Sequence, residues 1–268
     1  MDYSFLRYSD SMAMRHWILA ALLLAGAVQG EDRELQAPFI TTPDDVVERM
    51  LRLAGTGPAD LVVDLGSGDG RIVIAAARKF GARGLGIELD SQLVDVSREN
   101  ARRAQVSDRV SIIQGDVLVS DFSKASVVTV YLLPSLIVQL QSRFIYELKP
   151  GTRIVSHAFG MAGWKPDRSE SMRIKGRHPG QGDESTLHLW VVPADVRGTW
   201  QGEGWRLRIE QNYQQIEIEG AARASLSGAD IAWEMGGARF RGRVEGGRMS
   251  GELSRSGGTT PLVLTRSR

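Results

Sequence analysis

Residues 62–74 read VVDLGSGDGRIVI. An apolar run enters three glycines at alternate positions, and an apolar run leaves them. The entering run, LVVDLG (61–66), is short and apolar on successive residues, as a strand covered on both faces is. The leaving run, RIVIAAARKF (71–80), reads as a helix. Strand, glycine turn and helix open a βαβ unit, and open parallel sheets bind ligands at such turns. The spacing argues against two ligand classes. A dinucleotide loop places its third glycine five residues after the first. Here Gly66, Gly68 and Gly70 leave Arg71 in that slot. A P-loop needs G-K-[ST], and none follows.

The alternation continues outward. TTPDDVVERMLRLAG (41–55) predicts a helix capped by Thr42, with Pro43 in its first turn, Asp44 and Asp45 set against its dipole and Gly55 ending it. GLGIEL (84–89), RVSIIQGD (109–116), SVVTVYL (126–132) and TRIVSHAF (152–159) predict strands. SQLVDVSRENARRAQV (91–106) and PSLIVQLQSRFIYEL (134–148) predict helices, the second with proline at its first position. Near-continuous apolar strands alternating with helices specify an α/β fold: a parallel sheet with helices on both faces. SMRIKGR (171–177) and STLHLWVV (185–192) follow with no helix between, as a hairpin at the sheet's edge. After Pro193 the helical period stops. Glycine-punctuated alternating stretches predict a small all-β meander of six or seven strands, a closed or half-open barrel. Its aromatics, Trp200, Trp205, Tyr213, Trp233 and Phe240, are expected in its core.

The N-terminus has another character. Arg7, Arg15 and His16 precede WILAALLLAGAV (17–28), and QGEDRE follows. A basic start, a short apolar core and small residues describe a secretory signal. The run falls short of the ~20 residues that span a bilayer. The expected organisation is a signal peptide or anchor over 1–30, a linker over 31–40, an α/β domain over 41–193 and a small barrel over 196–268. Such a segment implies the cell envelope or a membrane-anchored protein, with association through residues 17–28. The formal net charge of +1 suggests no nucleic-acid partner. There is no cysteine, which excludes disulfides, thiolate metal sites and cysteine nucleophiles.

With Asp64 two residues before the first glycine, the motif is D-x-G-x-G-x-G. This resembles the first motif of class I S-adenosylmethionine (SAM)-dependent methyltransferases, whose sheet is Rossmann-like. Glycines let backbone approach a ligand without a Cβ clash. The resemblance implies SAM as cofactor. Asp64 would serve the ammonium of its methionine part, and Gly66, Ser67, Gly68, Asp69 and Gly70 would form the cradle, with Asp69 also capping the next helix. Glu88, about 20 residues on, would accept the ribose hydroxyls, as the acid of dinucleotide folds does, with Leu89 beside it. Asp116 would bond the adenine amino group, followed by a backbone contact from Val117. All three acids, Asp64, Glu88 and Asp116, are expected at C-terminal strand ends.

The runs DLGSGDGRIVIAAARKFGARGLGIELD, TPDDVVERML, VVTVYLLPSL and ELKPGTRIVSHAF look like one narrower group over about residues 38–170. These are the archaeal broad-specificity protein-lysine methyltransferases and the mitochondrial ATP synthase c-subunit lysine N-methyltransferase family. That resemblance implies methyl transfer to a lysine ε-amine of a protein substrate. The acceptor would meet YLLP (131–134), which departs from the Asn/Asp-Pro-Pro-aromatic tetrad of many amino methyltransferases. Tyr131 would hydrogen-bond the amine or offer its ring to the cation, Pro134 would stiffen the loop, and His157 would act as base or shape the lysine channel. Trp164 would wall that channel or pack. No His/Asp/Glu cluster suggests a metal, which disfavours metal-dependent O-methyltransferases. Two rivals stay open: a small-molecule N- or O-methyltransferase, and a non-catalytic SAM-binding module of the cell envelope.

Overall fold

The computed structural model describes residues 40–178 and 182–267. The expected signal or anchor, and the linker before residue 40, lie outside the described residues. Among the described residues no helix is long and apolar enough to cross a membrane.

A first helix, α1 (Asp44–Leu53), precedes β1 (Leu61–Leu65), α2 (Arg71–Phe80), β2 (Arg83–Glu88), α3 (Ser91–Arg103), β3 (Val110–Gln114), β4 (Val127–Val130), α4 (Pro134–Glu147) and β5 (Arg153–His157). The hairpin β6 (Arg168–His178) and β7 (Gly182–Val191) completes a seven-stranded sheet of order β3-β2-β1-β4-β5-β7-β6. Strands β1 to β5 are parallel. β7 runs antiparallel to β5, with β6 outside it. The strands lack polar alternation because both faces are covered. Val62, Val127 and Val155 pack with α1 and α2, whereas Val63, Val128 and Ile154 pack with α4. Strand order reverses between β1 and β4, the switch point where ligands bind such sheets.

Three local expectations change. Pro43, not Thr42, occupies the N-cap of α1. β3 stops at Gln114, so Asp116 lies two residues past the strand. Gly70, in the left-handed region, is the N-cap of α2, so Asp69 sits one residue before the cap. Asp69 does accept the Arg71 N–H at 3.2 Å.

Residues 198–266 form a second, antiparallel sheet of eight strands. They are β8 (Gly198–Gly202), β9 (Trp205–Asn212), β10 (Gln215–Ile218), β11 (Arg223–Ser227), β12 (Asp230–Met235), β13 (Ala238–Glu245), β14 (Arg248–Arg255) and β15 (Gly258–Arg266). GTWQG, the first of them, is the strand the meander pattern did not show. β8 pairs with both β9 and β15, so the last strand returns to the first. β10 and β11 end the order, which makes the sheet a near-barrel. Trp200, Trp233 and Phe240 fill its interior, with Trp233 stacked on Phe240 at 5.2 Å. Trp205 is only partly buried. Tyr213 leaves this core and stacks on Trp164 of the first sheet's layer.

Gly84 and Gly86 point to the same face of β2 and let α2 and its preceding loop lie close. A Cβ at Gly84 would sit 2.7 Å from Val73 Cβ. Gly84→Ala must lift α2, so urea unfolding is expected to show a loss of about 1–3 kcal/mol.

Candidate functional site

The glycine loop hangs from the end of β2. The carbonyl of Ile87 accepts the N–H groups of Gly66 at 2.9 Å and Ser67 at 3.0 Å. The Glu88 carboxylate accepts the Gly68 N–H at 2.7 Å on one oxygen and the Asp90 N–H at 3.0 Å on the other. Gly66, Gly68 and Gly70 all have positive φ, at 76°, 54° and 79°. The left-handed turns that result favour glycine strongly. Leu132 lies over Gly66, where a Cβ would meet it at 2.8 Å. Among the described residues the buried Ser67 hydroxyl has no hydrogen-bond partner.

Asp64 sits in β1 beside this loop, 3% exposed. Its Oδ1 accepts the Thr129 hydroxyl from β4 at 2.7 Å. Burial lifts its carboxyl from 3.8 to about 7, the Thr129 bond opposing and the nearby Glu88 and Asp69 charges adding. Asp69 is answered locally: Arg71 Nε and Nη2 donate to it at 2.9 and 2.6 Å. Leu89, just past β2, is an exposed apolar side chain. Asp116 is exposed, and its Oδ1 accepts the Leu118 N–H in an Asx-type turn. Val117 is buried under α4, where Arg143 donates to its carbonyl at 2.9 Å.

On the other side of the switch point, Tyr131 follows β4. Its ring lies 4.3 Å from His157 and 6.4 Å from Phe159, centroid to centroid. Pro134 is the first residue of α4 and exposed. His157 is fully buried. One ring nitrogen is hydrogen-bonded to Ser185 Oγ at 2.8 Å and the other to Thr42 Oγ1 at 3.3 Å. A ring engaged at both nitrogens and closed to solvent is not placed to take a proton from an incoming amine. His157 instead backs the Tyr131 ring. Trp164 is buried, and its indole N–H bonds Gln214 of the near-barrel, so it packs and does not wall an open channel.

Thr42 and Arg71 also take part in the site, which their positions in the sequence did not suggest. Arg71 Nη1 donates to the Thr42 carbonyl at 2.9 Å, while the Thr42 hydroxyl meets His157. One residue thereby ties the glycine loop to the aromatic wall. The only available signal at Thr42 was its place before Pro43, which pointed to a cap. Among the described residues no group of three or more His, Cys, Asp or Glu is placed to hold a metal.

Residues 64–168 match the model of the ANTKMT methyltransferase domain family. A protein-lysine N-methyltransferase of Saccharolobus islandicus is 42% identical over 156 residues, 58% of this chain and 93% of its own length. The ATP synthase c-subunit lysine N-methyltransferase of Mus musculus is 35% identical over 51% of this chain. The chain spans only 55% of that relative's length. Among solved structures, an RNA methyltransferase from Salinibacter ruber in complex with S-adenosyl-L-homocysteine is similar, at 46% identity and a TM-score of 0.53. The match covers 59% of this chain and 96% of that one.

The electrostatics of Asp64 have a sign. Its folded carboxyl titrates near 7 and its ordinary value is 3.8, so the folded state loses stability from about pH 4 upward and levels off above about pH 7. Asparagine keeps an oxygen for Thr129 and carries no charge. Without ligand, Asp64→Asn should therefore unfold at higher urea than wild type at pH 8, by up to about 4 kcal/mol. The gap should close toward pH 4. A pH-independent gap would show that the carboxylate is not the cause.

Proposed function

The chain belongs to the ANTKMT methyltransferase domain family and is a SAM-dependent methyltransferase, and we propose that its acceptor is the ε-amine of a lysine in a protein. The observation that carries the acceptor is the aromatic wall of Tyr131 and Phe159, backed by the buried His157, beside the glycine loop. The protein-lysine relatives support the same acceptor.

The residues at the loop fit the cofactor. Gly66, the exposed glycine of the left-handed turn, leaves backbone that a ligand can approach. Asp64 is a buried carboxylate that a neighbouring cation would hold ionised. We assign Asp64 to the ammonium of the methionine part. Each Glu88 oxygen accepts one N–H and keeps a lone pair, enough for the two ribose hydroxyls. Asp116, exposed at the rim, and Val117 take the adenine edge, with Leu89 covering it. When bound, SAM supplies an electrophilic methyl group on a sulfonium.

The rest falls to the chain's own groups. A lysine has a pKa near 10.4, so a neutral amine at pH 7 costs about 4–5 kcal/mol. The Tyr131 ring face receives the ammonium. Entry among the rings strips its water, which disfavours the charged form and sends the proton to solvent. Leu132, seated over Gly66, and Pro134, at the start of α4, fix the Tyr131 segment against the loop, where it would position the amine for the transfer.

Two measurements test this. Glu88→Ala should weaken SAM binding by roughly tenfold or more in calorimetry, since it loses a charge-assisted contact and frees the loop; a change under about twofold would remove Glu88 from the site. Second, the full chain is incubated with methyl-labelled SAM and a total cell extract. Hydrolysis should release labelled methyl-lysine, and Tyr131→Ala should reduce that label by roughly tenfold, the worth of a partly desolvated cation–π contact. Label confined to RNA or to small molecules would overturn the lysine acceptor, and binding without transfer would point to a non-catalytic module.

A further inference from the structure

One two-residue turn of the near-barrel reaches into the methyltransferase layer. Tyr213 and Gln214 join β9 to β10. A hairpin turn of that length ordinarily carries Asn-Gly or a similar pair, because its first position needs positive φ. Here Tyr213 holds φ 53° with an aromatic side chain. The residues are ill chosen for a turn and well chosen for contact.

Their contacts gather on the segment after β5. The Tyr213 ring stacks on Trp164 at 5.0 Å and 5°. Gln214 Oε1 accepts the Trp164 indole N–H at 2.9 Å, and Gln214 Nε2 donates to the Lys165 carbonyl at 2.7 Å. From α4, Gln141 Nε2 donates both to the Tyr213 hydroxyl at 2.9 Å and to the Ala162 carbonyl at 2.8 Å. The Trp164 carbonyl accepts Trp190 Nε1. The other end of the same segment is the acceptor wall. Ala158 has φ 68°, which a non-glycine residue keeps only when its surroundings hold it. Phe159 then lies stacked beside Tyr131, its carbonyl taking the Ser156 hydroxyl at 2.7 Å.

We propose that the C-terminal near-barrel is an acceptor-site clamp: Tyr213 and Gln214 are positioning residues that fix segment 158–165, and through Phe159 the wall that receives the lysine. The clamp rests on the acceptor assignment made above. It gives the barrel a role in acceptor binding and none in cofactor binding, since the glycine loop and Glu88 lie on the other side of the switch point.

The double variant Tyr213→Asn, Gln214→Gly supplies a favourable turn and removes the docking side chains, so the barrel itself should remain folded. In hydrogen exchange of the full chain, amides of 159–164 should exchange faster by an order of magnitude or more, with those of β12 to β14 unchanged. With poly-L-lysine as acceptor, its KM should rise by roughly tenfold while that for SAM moves by less than about twofold, as expected of lost positioning on one substrate only. Unchanged exchange at 159–164, or both KM values rising together, would overturn the clamp. If wild type does not methylate poly-L-lysine, that counts against the lysine acceptor, and the exchange measurement alone decides whether the segment is clamped.

Discussion

The carbonyl of Ile87 and the carboxylate of Glu88, the last two residues of β2, take the N–H groups of Gly66, Ser67 and Gly68. Those three donors belong to a loop whose left-handed residues turn its amides away from any regular ladder. Without the β2 acceptors the buried N–H groups of Ser67 and Gly68 would be left unpaired, at a cost of about 1–3 kcal/mol each. β2 can offer them only if the loop comes close. Gly86 allows this, since a Cβ there would lie 2.6 Å from the Ser67 hydroxyl. Gly84, two residues earlier on the same face, does the same for α2. The paired glycines of R-G-L-G-I-E are thus as necessary to the cradle as the glycines of the loop itself.

Closeness concentrates negative charge. Asp64, Asp69 and Glu88 lie near enough for the last two to raise the carboxyl of the first. Arg71 neutralises Asp69, and backbone amides satisfy Glu88. Among the described residues Asp64 has only the Thr129 hydroxyl, a weak answer to a carboxylate almost closed to water. Burial of a charge without a partner is costly unless the group neutralises itself or meets a cation. The cationic ligand assigned to this site would relieve that cost, and binding would then stabilise the folded protein.

What could be read in advance is what is written locally. The strand–glycine–helix order, the parallel sheet and the hairpin after β5 follow from apolar runs and their punctuation. The place of Glu88 beside the loop was legible because its spacing from the loop is a property of one βαβ unit. Thr42 was not, because its partner His157 lies 115 residues away and the local signal before Pro43 was that of a cap. The insertion of β7 between β5 and β6 was equally hidden: a strand carries no mark of which neighbour it will pair with. That insertion brings Ser185 to His157 and closes the imidazole off. The apolar residues of RVSIIQGD stop at Ile113, so the strand signal does not reach Asp116, and its carboxylate caps its own turn, a competition that Asp wins readily.

Tyr213 shows how a correct local rule misplaces a residue. In β9 the odd positions face the barrel interior, where Leu207 and Ile209 are buried. Continuing that alternation puts Tyr213 inside as well. The strand ends at Asn212, however, and the positive φ of Tyr213 breaks the pleat, so its side chain turns outward. Gln211, the last inward position, bonds the carbonyls of Ala194 and Tyr213 and the N–H of Val196, which fixes the turn from within. A turn so braced can carry a side chain that its geometry disfavours. The aromatic ring that the barrel core does not take is the one that reaches Trp164, and the strained turn is therefore a place where the two sheets are joined.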